Sequence, residues 1–138
     1  MMAEKRVTDC SFSVIVRGEA LDFGAISMAL GMDATRTVRT GDVLNRLPEI
    51  RAQHDAWFHE EPLNNPDGAD LILSGILSRL SEHRQALETL QAMNQVSLRL
   101  YVRSDHAQFT YRLMPETLRL LTETRIALDV SSLSWGEV

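Results

Sequence analysis

The chain has 138 residues, 44% hydrophobic and 24% charged, with a single cysteine and a formal net charge of -5. That length suits one domain with a core of its own, the composition lies outside the disordered class, and Cys10 alone excludes an internal disulfide. The acid excess is uneven, with 11 acidic and 7 basic side chains up to Ala69 and 8 and 7 beyond it, so long-range repulsion disfavours bulk binding to nucleic acid or anionic membranes.

In CSFSVIVRG, Cys10, Phe12, Val14 and Val16 alternate with Ser11, Ser13, Ile15 and Arg17, which predicts a half-buried strand ended by Gly18. LDFGAISMALGM then places Leu21, Ala25, Met28 and Leu30 at helical spacing, with Asp22 as N-cap and Gly31 as C-cap. RTVRT alternates again, a proline-marked loop follows at Leu47 and Pro48, and DAWFHE reads as a second short strand. EEPLNNPDG is a surface loop rather than a linker.

Residues 69–93 carry a helical stripe of Leu73, Ile76, Leu77, Leu80, Leu87 and Leu90, capped by Asp67 and divisible into two helices at Ser81. VSLRLYVRS predicts a strand with Val96, Leu98, Leu100 and Val102 inward, and Ser97, Arg99, Tyr101 and Arg103 outward. Ser104 to His106 then reads as a hairpin turn into AQFTYRL, Pro115 starts the helix PETLRLLTET, and IALDVSSL closes the chain as a strand. VIVRGEALDFGAISMALGM and FTYRLMPETLRLLTETRI echo each other as strand, turn and short helix. The expected fold class is α+β: one domain over 1–138, two layers, a mostly antiparallel sheet with helices on one face, ferredoxin-like or a duplication of that plan.

SFSVIVRGEALDFGAISMALGMDATRTVRTGD, DAWFHE and the ending FTYRLMPETLRLLTETRIALDVSSLSW together resemble the bacterial domain-of-unknown-function family number 4279. The likeness lies in the strand, the "LD" helix ending "LGM", "TRTVRTGD", the tryptophan that follows and the closing strand-helix-strand. It spans nearly the whole chain and is weakest at residues 45–53 and 62–67. Some members of the family resemble immunity proteins encoded beside bacterial toxins. The resemblance implies a fold and a setting; it implies no reaction and carries over no catalytic residue.

The residues themselves predict no enzyme. G-x-G-x-x-G, a glycine-rich stretch ending in Lys-Ser or Lys-Thr, and G-x-S-x-G are all missing from the sequence. The one ligand-like cluster is HDAWFHEE, yet an odd separation puts His54 and His59 on opposite faces of a strand, so neither metal nor cofactor is expected. Cys10 reads as a small buried hydrophobe, His83 as a core or boundary histidine, and Asp22, Asp42 and Asp67 as caps of helices or turns. No apolar run approaches the roughly 18 residues of a membrane span, and MMAEKRVTDC lacks a signal peptide's apolar core, so a cytoplasmic protein is expected.

Binding is the remaining chemistry. In TRTVRTGD, extended backbone turns Arg36 and Arg39 to opposite faces, which fits an edge strand better than a two-arginine anion clamp; Arg39 with the Gly41 amide is the remaining anion site. Trp57 is either packing or, beside a solvent-facing arginine, an interface anchor. Two functions follow. The first is a protein-binding module, an immunity-type inhibitor whose acidic half, with Glu60, Glu61 and Asp67, meets a basic toxin. The second is a binder of single-stranded nucleic acid or another anion on the sheet face of Arg99, Tyr101, Arg103 and Arg112. The same open face is also the place for a homodimer contact.

Overall fold

The computed structural model describes residues 7–64, 68–106 and 110–137. Among them the chain runs β1 (Val7–Gly18), α1 (Phe23–Leu30), β2 (Arg36–Val38), β3 (Val43–Arg46), β4 (Glu49–Arg51), β5 (Asp55–Pro62), α2 (Ala69–Glu82), α3 (Arg84–Met93), β6 (Gln95–His106), α4 (Pro115–Thr124) and β7 (Ala127–Glu137). Five strands form one sheet in the order β2-β5-β1-β6-β7, and β3 and β4 pair separately as a hairpin. All pairs are antiparallel except β6 with β7, which α4 joins as a crossover. This is the two-layer α+β sandwich expected; its strand order is the chain's own.

β1 lies in the middle, and its sequence shows why. The even-numbered residues Cys10, Phe12, Val14 and Val16 all enter the core beneath the helices. Their partners are Val96, Leu98, Leu100 and Val102 of β6, paired in register as Val16–Val96 through Cys10–Val102. Ile26 and Leu30 of α1, Leu73, Ile76, Leu77 and Leu80 of α2, and Leu87 of α3 close the layer from above. The period of two meets the period of 3.6 in one core. The odd-numbered Ser11, Ser13 and Ile15 are buried too, because a central strand is flanked on both sides by the side chains of its neighbours.

α1 has the caps its sequence predicts. Asp22 accepts a hydrogen bond from the Ala25 amide at 3.1 Å, and Gly31 takes the left-handed conformation at φ 66°. Its buried residues, however, are Ile26 and Leu30, whereas Met28 is 85% exposed.

Several expectations are corrected. The helix pair divides at His83 rather than Ser81, with the His83 amide bonded to the Leu80 carbonyl. Ser104 to His106 belong to β6 and form no hairpin turn; the strand that follows β6 in the chain, β7, pairs parallel to it and is reached over α4. Of AQFTYRL, residues 107–109 lie outside the described part and 110–113 are irregular. The loop expected around Leu47 and Pro48 is instead a hairpin, with the Leu47–Pro48 bond between β3 and β4. Glu60, Glu61 and Pro62 continue β5 instead of starting a loop. The Asp67 cap lies outside the described residues, and the residue observed at that helix's N-cap is Gly68.

Candidate functional site

TRTVRTGD makes an edge and then a turn. Arg36 to Val38 pair with Phe58, Trp57 and Ala56 as the outer strand β2, and the chain then turns back on Asp42, whose carboxylate accepts from the Arg39 amide at 2.8 Å. Arg39 points inward to a structural partner. Its guanidinium donates to Asp55 at 2.6 Å and to the Leu21 carbonyl at 2.7 Å, and it lies 3.9 Å over the Phe23 ring. The buried Asp55 carboxylate also accepts from the Thr40 amide and hydroxyl and from the Leu21 amide. Asp55 thus ties together the entry to α1, the turn after β2 and the start of β5. The bond from the Thr40 amide holds its pKa down, burial opposes this, and the bonds from the Leu21 amide, the Arg39 guanidinium and the Thr40 hydroxyl complete a fall to about 2. The Gly41 amide donates to the Ala52 carbonyl at 2.8 Å, and Arg39 Nη1 is held on Asp55 and Leu21, so the two are not aimed at a common anion.

Trp57 is fully buried and donates its indole N–H to the Ser27 hydroxyl at 3.0 Å, so it joins β5 to α1 and presents no ring to a partner. Glu61 also faces the helix layer. Burial pushes its carboxyl up, but bonds from His59 and Arg79 outweigh burial and hold it below the usual carboxylate range. His59 bonds the Asp33 carbonyl through its other nitrogen. Glu61 is therefore spent within the fold and parts from Glu60, which stands exposed on the opposite face of the sheet. The acidic patch expected from Glu60 and Glu61 is not assembled at one surface.

The face of the sheet away from the helices does gather candidate residues. Cross-strand register sets Ser13 between Glu60 and Arg99, Ile15 between Phe58 and Ser97, and Ser11 between Pro62 and Tyr101. Arg36 reaches in from β2 with its guanidinium 4.2 Å over the Phe58 ring. Together Ile15, Arg36, Phe58, Glu60, Arg99 and Tyr101 line a concavity of about 310 Å³, with the Ser13 and Thr35 side chains at its wall. Ile15 is its apolar floor, 1% exposed beneath these longer side chains.

The charge on this face is unbalanced. Arg39, Arg51, Arg79, Arg84 and Arg119 all pair with carboxylates. Arg17, Arg36 and Arg99 have no carboxylate within ion-pair distance among the described residues. Arg17 senses the other two: burial lowers its pKa, the Arg99 and Arg36 charges lower it further, and Asp129 offsets only part of this. The sequence separates these three arginines by 19 and 63 positions; only the pairing of β1 with both β5 and β6 brings them together. Arg103 lies on the same side of β6, two residues beyond Tyr101, and is exposed.

Among the described residues no group of three or more His, Cys, Asp or Glu side chains could hold a metal ion, and no helix is long and apolar enough to cross a membrane. The sequence model of a family described as Domain of unknown function (DUF4279) matches residues 6–135. No curated protein and no solved structure matches the chain.

Proposed function

This chain belongs to the DUF4279 family across nearly its whole length, and from that premise we propose that it is a non-catalytic, cytoplasmic binding module whose open sheet face takes an anionic ligand. One observation carries the proposal: Arg17, Arg36 and Arg99 share that face with, among the described residues, no carboxylate within ion-pair distance of any of them, in a chain with 19 acidic residues. Holding like charges together costs stability in the free protein, and an anion seated at Arg36 and Arg99, which line the concavity, relieves it. The concavity of about 310 Å³ falls at the lower end of small-ligand sites. Titration calorimetry with inorganic pyrophosphate at low ionic strength tests the proposal. Saturable binding that Arg36→Ala and Arg99→Ala each weaken supports it; no binding, or binding indifferent to both substitutions, refutes it.

A second reading, a protein-binding module of the immunity type, is favoured by the β3–β4 hairpin rather than by the acidic residues. Val43, Leu44, Leu47 and Ile50 are all exposed on this two-stranded sheet, which is joined to the five-stranded one by no strand pairing. Partner capture that survives Leu44→Glu with Leu47→Glu would count against it.

A further inference from the structure

The open face is more selective than an arginine cluster alone. We infer that its ligand is a nucleoside monophosphate, or a molecule of the same plan: one anionic group joined by a short linker to a flat ring that carries a hydrogen-bond donor. This rests on the anion-binding reading above and names the ligand class for the same site.

Arg99 and Tyr101 are alternate residues of β6, on the same face of the sheet and about 7 Å apart along the strand. That is the span across one ribose, from a base to its phosphate. Tyr101 is half-buried at the edge of the concavity, where a ring can lie against it. Arg36 supplies the second guanidinium from across the floor, held over Phe58 so that little freedom is lost on binding. Glu60 stands at the same wall, accepting from the Ser11 hydroxyl at 3.3 Å and able to accept again. A ligand that is anionic throughout meets repulsion from Glu60, whereas a base with an exocyclic amine meets an acceptor. The volume fits one nucleotide, and the net charge of -5 opposes a longer polyanion.

Calorimetry on the full chain compares adenosine 5′-monophosphate, ribose 5-phosphate, adenosine, pyrophosphate and a short single-stranded oligonucleotide. The nucleotide is expected to bind about tenfold or more tightly than ribose 5-phosphate, the range of one base–aromatic stack. Tyr101→Ala should erase that difference, and Tyr101→Phe should keep it, with circular dichroism showing both variants folded. Equal affinity for the nucleotide and ribose 5-phosphate overturns the ring while leaving the anion site standing. An oligonucleotide binding more than tenfold tighter than the nucleotide overturns the inference in favour of a polymer. If neither pyrophosphate nor the nucleotide binds, both the site and its ligand class fall.

Discussion

Gly31 ends α1 against the junction of α2 and α3, and replacing it with alanine probes two costs at once. The residue sits at φ 66°, and a Cβ built there would lie 2.6 Å from His83 Nε2. The left-handed backbone costs about 1–2 kcal/mol for a residue with a Cβ. The overlap is with a half-buried side chain rather than backbone, so the His83 ring must move, and overpacking of this kind costs about 1–3 kcal/mol. Gly31→Ala should therefore destabilise by about 2–5 kcal/mol, read as a lowered urea midpoint with an unchanged slope. In a His83→Ala background the same change should cost only the backbone share, about 1–2 kcal/mol. The difference between the two is a coupling energy a double-mutant cycle measures. An equal cost in both backgrounds would refute the contact; no cost in either would refute the left-handed cap.

Asp55 should give stability an acid-side dependence. Its folded pKa of about 2 lies below the ordinary 3.8, so its contribution is complete above 3.8 and is lost as pH falls through 2. Unfolding followed across that window should show the loss in wild type and a reduced slope in Asp55→Asn; identical slopes would contradict the clamp. Leu100, paired with Phe12 in the core, should cost about 2–5 kcal/mol on truncation to alanine. An unchanged denaturant midpoint would mean that β6 shows its other face to the helices.

Local chemistry was the readable part of the sequence. The Asp22 and Gly31 caps, the alternation of β6 and the stripe on α2 each depend on residues within a turn or a strand of one another, and each is found where its pattern sets it. Met28 misled because a helix two turns long fits more than one stripe, and the core selected Ile26 and Leu30. The turn predicted at Ser104 failed for a different reason. Polar residues end a strand in most settings, but here β7 pairs alongside and carries β6 through to His106. β3 and β4 pair over only a few residues, and all seven of these are exposed, so no alternation marks them.

The site divides in the same way. Tyr101, Arg99 and Arg103 were placed together by the period of two along one strand, whereas Arg36 and Arg17 join them only through the order of strands in the sheet. Trp57 gave no sign of its bond to Ser27, thirty residues earlier. Asp55 was seen only as a neighbour in HDAWFHEE, since its donors lie 15 to 34 residues away. An aspartate opening a strand as apolar as Ala56-Trp57-Phe58 was the available signal, because a carboxylate there must find donors.

The central claim is that the open sheet face is an anion site, and a titration of isotope-labelled protein with pyrophosphate, followed by nuclear magnetic resonance, tests it most directly. Saturating shifts should appear at the side-chain Nε–H signals of Arg36 and Arg99 and at the amides of Ile15, Phe58 and Tyr101, with the β3–β4 hairpin unmoved. Shifts that never saturate, or that spread over arginines already paired in the fold such as Arg79 and Arg119, would contradict it.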